Sequence, residues 1–200
     1  MGRLWAAHEA GLYAKIARLE VSMRARLLVI LALALTVALP ASAQVKQQEL
    51  AGVQRYSRVD ATVGCGGQTD PSAMAALKKE GYVAVINLRM ATEQGAQIEE
   101  SRAAAQSAGL KYIHLPFDGA SPDPKIVSAF LDAVADKRNQ PVYIHCGTAN
   151  RVGAVWMIKR ALQDGWPLEK AQAEGEAIGL QNPRLKEFAA TYIKEHSPRR

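Results

Sequence analysis

The chain has 200 residues, 48% of them hydrophobic, and a formal net charge of +6. That length suits one domain with a short extra segment, and that apolar share excludes a disordered chain. Two cysteines, Cys65 and Cys146, are too few for a disulfide framework or an all-cysteine zinc site. The histidines (His8, His114, His145, His196) are scattered, so no metal and no cofactor is expected.

Much of the positive charge sits at the start. Residues 1–43 hold five Lys/Arg and two Asp/Glu, leaving 20 basic against 17 acidic residues and a net +3. No basic block with interleaved aromatics is present, so nucleic acid is not an expected partner. A mild preference for anionic small substrates is what the remaining charge supports.

Leu27 to Leu39 is an uncharged run of thirteen residues, preceded by Arg24 and Arg26 and followed by Ala41-Ser42-Ala43. A positive n-region, a short apolar h-region and small residues at the cleavage site describe a secretory signal. The run is too short to span the ~30 Å hydrocarbon core at ~1.5 Å per residue. The expected organisation is a non-native extension over 1–22, a signal peptide over 23–43 starting at Met23, a flexible lead-in over 44–57 and a folded domain over 58–196. The mature chain is expected to begin at Gln44, to be periplasmic or secreted, and to have no stable membrane insertion after cleavage.

Along the mature chain, Val59 to Val63 reads as a strand running into a turn at Gly64-Cys65-Gly66-Gly67. Asp70-Pro71 opens a helix that Gly81 stops. Tyr82 to Leu88 is a strand buried on both faces. Thr92 to Ser107 reads as a helix ended by Gly109, and Lys111 to Pro116 as the next strand. Pro124 to Lys137 is amphipathic, with Ile126, Phe130, Leu131 and Val134 on one stripe. Pro141 to His145 is the last strand. Helices follow from about Arg151 to Gln163, near Leu168–Ile178 and near Pro183–Glu195. This alternation predicts a three-layer α/β fold, with a central, mostly parallel sheet of about four to five strands flanked by helices.

The segment His145-Cys146-Gly147-Thr148-Ala149-Asn150-Arg151 carries the chemistry. A short apolar strand delivers a cysteine to the carboxyl end of a sheet, where ligands bind in open α/β folds. The small residues that follow leave backbone N–H groups free, and these amides with the next helix make an anion cradle. Arg151 adds a charged fork suited to two oxygens of a tetrahedral oxyanion. The same field favours the thiolate of Cys146, the nucleophilic form. A lone cysteine at a strand end is otherwise a small core residue.

This segment resembles the signature of the protein-tyrosine/dual-specificity phosphatase superfamily. It looks closest to the bacterial phosphatase-like domain of the type associated with β-lactamase-like hydrolases. Gly66-Gly67-Gln68, Val85-Ile86-Asn87-Leu88-Arg89 and Ile113-His114-Leu115-Pro116 agree with it, and the resemblance covers about residues 58–195. It implies a cysteine-phosphatase-like fold and a metal-independent, two-step hydrolysis of a phosphorylated protein or small molecule. Cys146 would form a phosphocysteine, while Arg151 and the amides of Gly147, Thr148, Ala149 and Asn150 stabilise the oxygens. An aspartate on the 117–123 loop would act as general acid. Asp118 follows the strand directly and is favoured over Asp123, which stands where it would cap the helix at Pro124.

Two features depart from the signature. It normally places one more residue between cysteine and arginine than the four here, Gly147 to Asn150. Val152 also stands where a Ser or Thr hydroxyl helps the cysteine leave. The shorter loop equally resembles rhodanese-type sulfurtransferases, in which the cysteine carries a persulfide. A non-catalytic phosphate-binding module is the third reading.

Arg89 and Gln68 sit at strand ends and are candidate oxyanion contacts, with an Arg89–Glu93 surface ion pair as the alternative. His145 is expected to orient the loop by hydrogen bonding. Cys65 is either a free buried thiol or the partner of Cys146 in a reversible disulfide. Trp156 and Met157 read as core. Lys170, Glu174 and Glu176 read as a solvated helix face.

Overall fold

The computed structural model describes residues 45–197; the extension and signal-peptide expectations fall outside them. Six strands form one mixed sheet in the order β1-β2-β3-β6-β4-β5. They are β1 (Lys46–Gln47), β2 (Ser57–Arg58), β3 (Val63–Gly66), β4 (Ala84–Asn87), β5 (Lys111–His114) and β6 (Val142–His145). β3, β6, β4 and β5 run parallel, while β1 and β2 add antiparallel pairs at one edge. The segment expected as a flexible lead-in is therefore part of the sheet edge: Tyr56 and Ser57 are buried, and Tyr56 Oη lies 2.8 Å from Tyr82 Oη.

Among the described residues six α-helices cover the sheet: α1 (Met74–Lys79), α2 (Ile98–Ser107), α3 (Pro124–Ala135), α4 (Asn150–Leu162), α5 (Leu168–Ile178) and α6 (Pro183–His196). The period-2 alternation of the strands divides the core. Val63, Cys65, Ala84, Ile86, Val142 and Ile144 join one apolar cluster with α3 to α6. Val85 and Tyr143 join the other, with Met74 and Leu77 of α1 and Ala105 of α2. The result is an α/β/α sandwich, as the alternation of elements predicts.

The first parallel strand lies later than expected. Residues 59–62 form a turn closed by Asp60, whose Oδ1 accepts from Thr62 N and Thr62 Oγ1, both at 2.7 Å. The strand is Val-Gly-Cys-Gly itself. Its glycines make room for two tyrosines: a Cβ on Gly64 would sit 1.8 Å from Tyr82 Oη, and one on Gly66 2.1 Å from Tyr143 Oη. Glycine here serves close packing, where the sequence alone suggests a turn.

The helix expected from Thr92 begins at Ile98, after a turn that wraps the Arg89 side chain. Helix α4 is buried along most of its length, Trp156 and Met157 included, and lies against α5 and α6. Glu174 is not solvated. It is 7% exposed, accepts from Trp156 Nε1 at 2.7 Å, and pairs with Arg160 at 2.6 Å. Arg160 also reaches Asp60 and Asp164 and lies over the rings of Trp156 and Trp166. This cluster fixes the end of α4 away from the cysteine loop. No described helix is long and apolar enough to cross a membrane.

Candidate functional site

The cysteine loop joins β6 to α4 at the carboxyl end of the parallel strands. Its neighbours anchor it: Leu88 N donates to His145 O at 2.9 Å, and Gln68 N to Gly147 O at 2.9 Å. Gln68 thus touches the loop through its backbone. Ala149 turns the chain into α4 with φ 65°, in the left-handed region that L-residues enter at a cost. Among the described residues, no acceptor takes the amide hydrogens of Gly147, Thr148, Ala149, Asn150 or Arg151. They are the orphan donors of a loop and a helix start, available to an anion.

Asn150 ties this loop to the start of α6. Its Oδ1 accepts from Gln181 N at 2.7 Å and Asn182 N at 2.8 Å, and its Nδ2 donates to Thr148 Oγ1 at 3.2 Å. Asn150 therefore contributes its backbone to the loop, while its side chain acts as a brace.

Arg151 is held from three directions. Its Nη1 donates to Glu93 Oε1 at 2.5 Å, to Phe117 O at 3.1 Å and to Leu88 O at 3.2 Å; its Nη2 donates to Glu93 Oε2 at 2.8 Å. A guanidinium has five N–H donors. These contacts leave Nε–H and one Nη2–H, the side of the fork that can grip an oxyanion. Burial acts to raise the Glu93 pKa, but hydrogen bonds from Arg151, the Met90 amide and Arg89 overcome it and hold the carboxyl at about 2. Burial lowers the Arg151 pKa, and the bonds to Glu93 and the proximity of Cys146 more than offset it. The sequence offered no signal for Glu93 beyond its spacing from Arg89.

Arg89 does not line the cavity. It is 4% exposed, and its guanidinium is engaged by Glu93 at 3.2 Å, Gly95 O at 2.7 Å and Gln94 O at 2.6 Å. The ion pair considered for it exists, but buried, and it shapes the turn that presents Glu93. His145 stacks on Tyr143 with ring centroids 5.7 Å apart. Its ring nitrogens make no hydrogen bond of good geometry among the described residues, and the Gly67 backbone is the polar group near enough to act on the ring. Burial, with the charge of Arg89 adding to it, lowers its pKa to about 3, so the ring is neutral.

A cavity of about 550 Å³ opens beside the loop, lined among others by Met90, Glu93, Asp118, Thr148, Arg151 and Arg184. Asp118 is exposed in its wall, with Oδ1 accepting from Ala120 N at 2.8 Å. Asp123 does not line it: its Oδ1 accepts from Lys125 N at 2.8 Å and caps α3. Cys146 is 0% exposed and is not among the residues that line the cavity, whereas Thr148, Asn150 and Arg151 of the same loop are. Cys65, on the neighbouring strand, is also fully buried, and both thiols are free. Burial, more than nearby charge, pushes the Cys65 pKa well up and keeps it a thiol. Among the described residues, no three or more His, Cys, Asp or Glu side chains converge as a metal site would require.

Residues 55–163 match the family described as "Beta-lactamase hydrolase-like protein, phosphatase-like domain". A curated beta-lactamase hydrolase-like protein of Xylella fastidiosa (strain Temecula1 / ATCC 700964) is 26% identical over 141 residues, covering 70% of this chain. The chain spans 32% of that relative's length. Among solved structures, a protein of Shewanella putrefaciens CN-32 named "Putative phosphatase (DUF442)" superposes with TM-score 0.63 at 21% identity, covering 74% of this chain and 92% of its own. TpbA of P. aeruginosa does so with TM-score 0.59 at 20% identity, covering 78% and 91%. These likenesses carry the fold: a cysteine-phosphatase-like α/β domain.

Proposed function

The chain belongs to the family of phosphatase-like domains of beta-lactamase hydrolase-like proteins, and from that premise we propose that it hydrolyses phosphomonoesters through a phosphocysteine on Cys146. One observation carries this reading. Arg151 is fixed by Glu93 with part of its fork unengaged, at the end of a run of unpaired loop amides that begins right after the cysteine.

In the first step the Cys146 thiolate attacks phosphorus. The S–P bond forms, the ester P–O bond breaks, and the Asp118 carboxyl gives its proton to the leaving oxygen. Arg151 and the amides of residues 147–151 hold the non-bridging oxygens as charge spreads over them. In the second step water attacks phosphorus and passes a proton to the Asp118 carboxylate. The S–P bond breaks and the thiolate returns. The sequence of steps uses these side chains and water alone. Asp118 in the cavity wall favours this reading over sulfur transfer, which needs no general acid.

The burial of Cys146 and the apolar Val152 favour one competing reading, a phosphate-binding module without turnover. Aryl phosphate hydrolysis by the wild type, Cys146→Ser and Arg151→Lys separates the two. Loss of activity in both variants and an acid-stable phosphoprotein trapped in the wild type support the phosphatase. Activity that survives Cys146→Ser rejects it. Phosphate binding with no product burst identifies the binder, and thiosulfate:cyanide transfer the sulfurtransferase.

Export is the second part of the proposal, resting on the charged, apolar and small-residue pattern of residues 24–43. Intact mass of the chain recovered from the cell envelope and medium should correspond to a start at Gln44. A product that retains residues 1–22 overturns it.

A further inference from the structure

The cavity is far larger than one tetrahedral oxyanion, and at about 550 Å³ it falls in the ~300–1,000 Å³ range of small-molecule sites. Its lining mixes the polar side chains of Thr92, Thr148, Asn150 and Asn182 with the apolar ones of Met90, Ala120 and Leu185, and no aromatic ring takes part among the described residues. A wall of this kind offers an aryl leaving group no face to stack on.

Arg184 also lines this space, on the first turn of α6. Its side chain is exposed and makes no hydrogen bond or ion pair among the described residues. It is the cavity's second cation, and it differs from Arg151 in having no carboxylate partner. The turn that carries it is fixed on both sides. Asn182 Oδ1 accepts from Arg184 N at 2.9 Å and Leu185 N at 3.3 Å, and Asn150 Oδ1 holds the Gln181 and Asn182 amides. The α6 amides are thus engaged, and the guanidinium is the group left to meet a ligand. The acid loop touches both elements that carry the arginines: a Cβ on Gly119 would meet Arg151 Cγ at 3.7 Å and, on α6, Leu185 Cδ1 at 3.8 Å. A scissile phosphate at Arg151 and a second anion at Arg184 would therefore share the cavity that Asp118 and Gly119 also line.

Resting on the phosphatase reading, we propose that Arg184 is a specificity-determining residue that binds a second anionic group, a phosphate or carboxylate, on a polar small-molecule phosphomonoester. The planar fork suits either oxyanion bidentately, and the brace through Asn150 fixes the turn that carries it against the cysteine loop.

The test compares the full chain with Arg184→Gln and Arg184→Lys on phenyl phosphate, 3- and 4-carboxyphenyl phosphate, hexose 6-phosphate and hexose 1,6-bisphosphate. Arg184→Gln should lower kcat/KM on the order of tenfold or more for the substrates with a second anion. Phenyl phosphate and the monophosphate should be nearly unaffected, and Arg184→Lys should recover part of the loss. Carboxylates and bisphosphate read separately tell which anion the fork prefers. An equal loss on all substrates, or none on any, overturns the proposal.

Calorimetric binding to Cys146→Ser protein is measured independently of turnover. There Arg184→Gln should weaken the bisphosphate and leave the monophosphate unchanged. Failure of hydrolysis with this binding difference intact rejects the phosphatase and keeps the subsite. Absence of the binding difference rejects the subsite whatever the activity.

Discussion

Glu93 holds Arg151 end-on, with Oε1 2.5 Å from Nη1 and Oε2 2.8 Å from Nη2, across 58 residues of sequence. The pair fixes one edge of the guanidinium and leaves Nε–H and one Nη2–H unengaged, and Arg89 in turn secures Glu93 at 3.2 Å. The orientation of the fork thus depends on the turn at residues 90–97 as much as on α4.

Glu93 is accordingly a positioning residue, and its removal should misplace Arg151 without touching the thiol. Glu93→Ala is expected to lower kcat/KM for an aryl phosphate by roughly 10²-fold, the scale of a small misplacement in a reacting site. Glu93→Gln, which keeps the shape and some hydrogen bonding, should lose less. The loss should fall on kcat as well as KM. An unchanged kcat in both variants would mean that Arg151 orients itself.

The two loop aspartates should separate cleanly. Asp118→Asn removes the proposed proton donor and should cost ~10²–10⁴-fold in kcat for esters with poor leaving groups, and much less for nitrophenyl esters, whose oxygen leaves unprotonated. Asp123→Ala removes the α3 cap and should destabilise the fold by about 1 kcal/mol with kcat unchanged. Leaving-group dependence of kcat, read beside thermal denaturation, checks both. A leaving-group effect in Asp123→Ala rather than Asp118→Asn reverses the assignment.

What the sequence revealed and what it concealed follow from the range of the interactions. The strand into Cys146, the small-residue loop and the α4 start are local features, and their pattern alone implied an anion cradle. Asp123 as a cap is equally local, since its partner lies two residues away. Glu93, Asn182 and Arg184 reach the site only through the folding of distant segments. Glu93 lay inside an apparent helical run whose first turn gives way to contacts with Arg89 and Arg151. Gly64 and Gly66 read as a turn because their tyrosine neighbours are far away in sequence. Glu174 read as surface because nothing local announces that Arg160 and Trp156 face it.

Stability should fall on acidification in two overlapping stages. His145 is neutral in the fold, with a pKa lowered by burial from 6.5 to about 3. The unfolded chain therefore binds the proton first, and stability is lost as pH falls from about 6.5 towards 3. Glu93 is held near 2 against an ordinary 4.5. The stability contributed by its ionised form is complete above 4.5 and is lost as pH falls towards 2. Each group contributes a slope of at most ~1.4 kcal/mol per pH unit in its window. His145→Gln should flatten the urea-midpoint profile between pH 6.5 and 4.5 and leave the lower limb in place. An unchanged upper limb would assign it to another group.

Val152 bears on the second step of the proposed reaction. It sits on the first turn of α4, 0% exposed, in the apolar cluster that also contains Cys146. When water displaces Sγ from phosphorus, negative charge returns to sulfur, and a valine offers it no donor. Attack should then outrun hydrolysis, so the phosphocysteine accumulates and the wild type gives a product burst followed by slow turnover. Val152→Thr is close in shape and introduces a hydroxyl that can donate to the departing sulfur. It should raise steady-state kcat several-fold and shrink the burst, with charge-assisted bonds worth roughly 1.5–3 kcal/mol setting the upper limit. The buried hydroxyl can cost ~1–3 kcal/mol of stability where it finds no partner, so the comparison belongs well below the melting transition. Quenched-flow measurement of the burst and of the trapped phosphoprotein reads both steps. A wild type with no burst, together with no gain in Val152→Thr, would make the first attack limiting and remove Val152 as the cause of slow turnover.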